Sequence, residues 1–326
     1  MPTDTLTAAC IGKLPTHGDF VRHRATTPAM RAFDAWVQKG LYQARQDRPA
    51  LDTAYDEAPA YRFVFRSPEA REQLMGVTQP SRDQAGRMYP FTVALEAEAD
   101  AFGPRQLPYA LGHASGFYDA AARLVATATA GDLTHHEATD HVEALQPTLE
   151  VTTAPSQAYK RYLRQQTTQS LFTQLFGHFG DGRKYRLFKN ILDITLPLQG
   201  RRSVQLSYGL KFPLGTEADV LDVRAAFWIE LVLRLLDYPN VAPSMFWTSP
   251  SRAEASGEAV LFLFLNTPRP AAFTHLVRPG LEDDYICDLV QMGGQTAVKA
   301  ALAIPDAYGR LLEQERLTLW DFLREL

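Results

Sequence analysis

Two short segments bring together the residue types that chemistry needs. Gly12-Lys13-Leu14-Pro15-Thr16-His17-Gly18-Asp19-Phe20 sets a cation, an imidazole and a carboxylate around two glycines at the end of an apolar run. A lysine beside backbone N–H groups in a glycine-containing turn can hold an anion. The phosphate-loop pattern GxxxxGK(S/T) is absent, however, and Lys13 precedes the turn instead of opening a helix. A solvent-facing turn stabilised by Asp19 and His17 is the plainer reading. Pro80-Ser81-Arg82-Asp83-Gln84-Ala85-Gly86-Arg87 is the second segment, with a hydroxyl, a carboxylate and two guanidiniums. A serine beside an aspartate suggests nucleophilic catalysis, but no histidine lies near in sequence and GxSxG is missing. An ion pair from Asp83 to Arg82 or Arg87 that fixes the loop explains the residues more simply.

Three further stretches carry weaker signals. His135-His136-Glu137 and Asp140-His141 are metal-type side chains on a predicted helix, yet their spacing is not that of HExxH, and a solvated acidic face is expected with no metal. The GHFGDG run from Gly177 to Gly182 does not meet the GxGxxG nucleotide fingerprint and reads as a turn. Lys160, Arg161, Arg164, Arg183, Lys184, Arg186, Lys189, Arg201 and Arg202 are interleaved with Tyr162, Tyr185 and Phe188. Such a stretch can meet an acidic partner, a phosphate or an anionic lipid, or be scattered surface cations. No residue set here calls for a cofactor.

The elements that must position these residues follow from periodicity. Ala8 to Leu14 reads as a buried strand ended by Pro15, and Pro28 opens a helix in which Met30, Phe33, Val37 and Leu41 recur at helical spacing beside Trp36. Strands are expected at Tyr61 to Phe65 and Met88 to Leu95, with a short stretch at Leu74 to Val77, and helices at Gly116 to Thr127 and Thr134 to Leu145. A helix from about Tyr159 to Phe176 precedes an expected hairpin of Ile191 to Leu198 with Val204 to Phe212. Ala218 to Leu236 is a strongly apolar helix, Ser244 to Thr248 and Ala259 to Asn266 are strands, and Thr318 to Leu326 closes the chain as a helix. The charge changes sign midway: five acids and no Lys or Arg lie from Leu124 to Tyr159, then nine basic residues and two acids from Lys160 to Arg202. The Thr-rich, Pro-containing segment Gln146 to Gln157 is therefore the expected boundary between residues 1–150 and 151–326. The expected class is mixed α/β: a layered sheet-and-helix domain followed by a second one, each with a long helix between strands, which raises a distant duplication.

Composition removes other classes. The 326 residues are 46% hydrophobic and 21% charged, with 33 Lys+Arg against 37 Asp+Glu and a net charge of −4. That balance lacks the basic excess of a nucleic-acid binder and the signature of disorder. Cys10 and Cys287 form neither a disulfide framework nor a CxxC pair, and a reducing, cytoplasmic setting fits. MPTDTLTAACIGKL lacks the basic start of a signal peptide, and no run reaches the ~18 apolar residues of a membrane span. Nothing in the pattern fixes an oligomeric state.

GKLPTHGDFVRH at Gly12 to His23 and GVTQPSRDQAGRMYPFTV at Gly76 to Val93, in this order, resemble the TagF (also called ImpM) family associated with the bacterial type VI secretion system. The helix with Phe33, Trp36 and Leu41 and the segment Ala58-Pro59-Ala60-Tyr61-Arg62-Phe63 fit the same pattern, so the clear likeness covers roughly residues 9 to 97. A fainter one continues through Ser244 to Thr248 and Pro268 to Phe273. Thr16-His17 replaces the family's Ser-Arg, and Tyr61-Arg62-Phe63 its Trp-Arg-Phe. The resemblance implies a cytoplasmic, non-enzymatic, post-translational repressor of secretion-system assembly that engages a forkhead-associated (FHA) scaffold protein. The acidic DGxGG-like signatures of the PPM-type phosphatase fused in some relatives are missing here. Lys13, His17, Asp19, Phe20, Ser81, Asp83 and Arg87 are then expected to bind the partner or organise the loops, the two loops converging on one edge of the first sheet. The rival expectation is a nucleotide- or phosphate-binding enzyme using the Gly12 to Asp19 and Ser81 to Arg87 loops.

Overall fold

The computed structural model describes residues 7–47, 51–67, 70–98, 103, 105–145, 155–249, 259–294 and 296–326. Strands β1 (Ala8–Lys13) and β2 (Phe20–His23) are followed by helices α1 (Pro28–Asp47) and α2 (Leu51–Glu57), then by β3 (Tyr61–Arg66), β4 (Glu72–Gln79) and β5 (Phe91–Glu98). Six helices come next: α3 (Leu107–His113), α4 (Ser115–Ala130), α5 (His135–Ala144), α6 (Gln157–Gln165), α7 (Thr168–Phe176) and α8 (Arg183–Thr195). The rest is β6 (Gly209–Gly215), α9 (Leu221–Leu235), β7 (Ser244–Thr248), β8 (Ala259–Phe264), α10 (Phe273–Val277), β9 (Ile286–Asp288), α11 (Ala297–Ala303), α12 (Asp306–Glu313) and α13 (Leu319–Arg324). No helix among the described residues is long and apolar enough to cross a membrane.

The strands form one nine-stranded sheet in the order β2-β1-β5-β4-β3-β7-β8-β6-β9. Each adjacent pair is antiparallel except β6 and β9. Successive strand residues face opposite sides. In β3, Tyr61, Phe63 and Phe65 therefore enter one core with α1, where Phe33 stacks on Phe63 at 4.9 Å and Trp36 on Phe246 at 5.3 Å. Val64 enters the other core with Val77, Val93 and Trp247. That second core is the thicker, because α3 through α9 pack into it. Helix α9 buries Trp228, Arg224 and Glu230 along with its aliphatic residues, so it has no broad polar face and sits inside the layer.

The mixed sheet-and-helix class holds, and several elements differ from expectation. Ile191 to Leu198 is not a hairpin arm: α8 runs to Thr195 and a 3₁₀ turn covers Leu196–Leu198. Leu187, Phe188, Ile191, Leu192 and Thr195 recur at helical spacing and are buried, a periodicity that outweighs the local β-branched look. The expected helix to Phe176 breaks at Gln166, where Thr167 starts α7 with a capping box to Ser170. The strand expected from Met88 starts at Phe91, after Pro90, which has no N–H to give a ladder; Met88 instead bridges Arg82 across the loop. The boundary expected near 150 lies outside the described residues. The strands on either side of it share one sheet through the β3–β7 pairing, Tyr61 opposite Thr248 to Val64 opposite Met245. A repeated unit would also repeat strand directions. Here β2 and β3, the strands before and after the α1–α2 pair, run parallel, as do β6 and β7 on either side of α9. Helices α1 and α9, however, lie in different cores.

Candidate functional site

The turn after β1 and the connection from β4 to β5 lie side by side because β1 pairs with β5. Their meeting point is at the strand ends, beside the edge hairpin, rather than along the edge strand β2. Gly12 permits the approach. Its φ is +148°, and a Cβ there would stand 2.3 Å from the Pro90 carbonyl oxygen and 2.5 Å from the Phe91 Cα.

Lys13, the last residue of β1, is only 6% exposed, and its Nζ donates to Asp83 Oδ2 at 2.7 Å. The same oxygen accepts from Arg87 Nε at 2.7 Å, while Oδ1 accepts the backbone N–H groups of Ala85 at 3.0 Å and Arg87 at 2.8 Å. Burial opposes ionisation of Asp83. Hydrogen bonds from Lys13 and from the backbone and side chain of Arg87 outweigh it and hold the carboxyl well below the usual carboxylate range. Arg87 also donates from Nη2 to the Gly18 carbonyl at 2.6 Å, and the Gln84 N–H donates to the His17 carbonyl at 3.0 Å. The two loops are thus clamped through Lys13, Asp83 and Arg87. The Arg87 side chain remains 60% exposed above the clamp.

The other expected residues have different surroundings. Phe20 meets Tyr89 edge-on at 4.9 Å, with Lys13 Nζ 5.1 Å and the Arg22 guanidinium 4.7 Å from its ring centre. His17 stacks on His135 at 4.2 Å, which in turn stacks on His136 at 3.8 Å, and Thr16 Oγ1 donates to the Leu133 carbonyl at 2.7 Å. The first loop is thereby seated on the start of α5. Burial, then His136 and His17, lower the His135 pKa. Asp19 is exposed, and among the described residues it accepts only the neighbouring Phe20 N–H, at 2.7 Å. Ser81 is buried, and among the described residues its Oγ has no hydrogen-bond partner and so no hydrogen-bonded base to activate it. Of the metal-type residues, Glu137 is taken by the capping box with Thr134, and among the described residues no group of three such side chains could hold a metal ion.

Three acidic partners of two arginines are not apparent in the sequence. Arg82 pairs not with Asp83 but with Asp56 of α2, through Nε at 2.7 Å and Nη2 at 3.1 Å. Arg62, buried in β3, joins Asp119 of α4 at 2.6 Å and Asp222 of α9, whose second oxygen accepts from Trp247 Nε1 at 2.8 Å. The one local signal for the latter is a charged residue in the middle of the aromatic strand Tyr61-Arg62-Phe63.

Residues 9–145 match the family described as TagF N-terminal domain, Type VI secretion system-associated. That span contains β1 through α5 and with them every residue of the clamp. A crystal structure of PA0076 from Pseudomonas aeruginosa PAO1 aligns at a TM-score of 0.48 and 21% identity, covering 85% of this chain and 96% of that one. No curated protein matches the chain.

Proposed function

We propose, on the premise that residues 9–145 form a TagF N-terminal domain of the type VI secretion system-associated family, that this protein is a post-translational negative regulator of type VI secretion system assembly. It acts in the cytoplasm by binding an FHA scaffold protein and catalyses nothing itself. The observation that carries a binding role is the clamp. Loops fixed to a rigid sheet make good recognition surfaces, because little conformational freedom is lost when a partner docks. Lys13 and Asp83 are turned inward, while Pro15, Thr16, Gly18, Asp19, Gln84 and Arg87 are exposed around them. FHA as the partner class rests on the resemblance.

The rival phosphate-binding reading of these loops gains nothing from the geometry. Lys13 is buried against Asp83 and Arg87 is bound to the same carboxylate, so neither cation is uncommitted. Ser81 has no hydrogen-bonded base among the described residues.

The test is co-purification with the FHA protein encoded in the same cell. Asp19→Ala alters an exposed group and should weaken the complex by about tenfold or more, as central interface residues do, with little change in Tm; Arg87→Ala should weaken it as well, with a lower Tm because it also removes the bonds to Asp83 and the Gly18 carbonyl. A complex that survives both substitutions unchanged removes the loop assignment. Absence of a complex with the folded wild-type chain removes the partner.

A further inference from the structure

Between the first turn of α8 and the β6–β9 edge of the sheet lies a cleft of about 350 Å³. Three cations line it, Arg183 and Arg186 from α8 and Lys211 from β6, and its apolar wall includes Phe176 and Val260. Residues three apart share a helix face, so the two guanidiniums stand one turn above each other. Arg183 is held before any ligand arrives. It donates to Asp181 from Nε and Nη2, each at 3.0 Å, and to the Phe176 carbonyl at 2.7 Å, and it lies over the Phe176 ring at 4.9 Å. Lys211 Nζ donates to Asp288 at 2.9 Å, and the other Asp288 oxygen accepts the N–H groups of Val290 and Gln291 at 3.0 and 3.1 Å. That bond uses one of the three ammonium hydrogens. Arg186 is half-buried and has no hydrogen bond or ion pair among the described residues.

We propose that this cleft is a binding site for a phosphate-class oxyanion, with Arg186 as the receiving fork and Lys211 as the second contact. Three positive charges face two carboxylates, and the apolar wall lowers the local dielectric, which strengthens an ionic hydrogen bond. A guanidinium matches two phosphate oxygens at once, and a third oxygen remains for a contact from another element. A carboxylate has only two oxygens and cannot serve both donors as fully. The basic run from Arg183 to Lys189 thus acquires a use that the Lys13 turn, with its lysine neutralised, does not have.

Titration of the full-length chain by calorimetry and amide NMR, with inorganic phosphate, pyrophosphate and phosphoserine as probes, tests the site. Saturable one-to-one binding is expected, weakening as salt is raised, and weakened about tenfold or more by Arg186→Gln. Arg186 has no hydrogen bond or ion pair among the described residues, so its substitution should leave Tm unchanged; Lys211→Gln should weaken binding in parallel. Arg31→Gln, on the exposed face of α1, should not. Tighter binding of phosphoserine than of the free ions would identify a phosphate ester as the source, and the reverse order a free anion. No saturable binding of any probe, or equal affinity in Arg186→Gln and wild type, overturns the proposal.

Discussion

Asp83 accepts four hydrogen bonds on a side chain with no solvent exposure, from Lys13, Ala85 and twice from Arg87. Asp83→Asn keeps the shape but removes the charge and places an amide donor among donors. Because Lys13 would then be buried without its counter-ion, the loss should be about 3 kcal/mol, read by urea unfolding. The acid limb should change as well. A lowered folded-state pKa gives stability that is complete above the ordinary Asp value of ~3.9 and is lost as pH falls below it toward the folded-state value; Asp83→Asn should flatten that part of the profile. A wild-type acid limb no steeper than the variant's would refute the assignment. His135 behaves in the opposite charge sense. Its lowered pKa means that the unfolded chain takes up the proton first, so stability falls as pH drops below ~6.5. Its imidazole resonance should titrate below the ordinary histidine value of ~6.5 and move up in His17→Ala. At this scale the chain was half legible. The Asp83–Arg87 pair is local, four residues apart, and could be expected from the loop. Arg82 finds Asp56 only because α2 is folded beneath the loop, and no spacing announces a partner 26 residues away.

Elements show why glycines in a motif differ. Gly86 has φ +78° with open space around it, so Gly86→Ala should cost only ~1 kcal/mol of left-handed strain. Gly12 sits in a strand against the Pro90 backbone, and there an alanine must push β1 from β5. Gly12→Ala should therefore cost more than ~2 kcal/mol by denaturation. Equal losses at the two positions would mean that close packing is not the reason for Gly12. Strands and helices with a strong period were legible: Met30, Phe33, Val37 and Leu41 do line α1, and Ser244–Thr248 is a strand as expected. Helix α8 was not, because a reading confined to its last residues caught a β-branched run and missed the turns of amphipathic helix before it.

For the whole molecule, the decisive pairing is β3 with β7, joining residues some 180 positions apart in sequence. A charge reversal marks the middle of the chain, but a composition change cannot report which strands meet. The seam is polar as well as apolar. Arg62 of β3 lies between Asp119 and Asp222, and burial raises the Asp222 pKa against the pull of Arg62. On the other face Phe63 and Trp36 stack on Phe246. Cutting the chain after residue 145 would expose the β3 edge, a run of aromatic residues with unpaired backbone groups, which favours aggregation. The family-matched segment and the remainder should therefore unfold together. Calorimetry of the full chain should show one transition with a van't Hoff enthalpy equal to the calorimetric one, near ~230 kcal/mol at about 60 °C for this length. Arg62→Leu leaves Asp222 buried without its cation and should lower that single Tm, without splitting the transition, through a loss of about 3 kcal/mol. Two resolved transitions in the wild type, each with roughly half the enthalpy, would show that the shared sheet does not couple the halves. In that case the Arg62 substitution should shift the two midpoints unequally, by weakening a contact between units that fold separately.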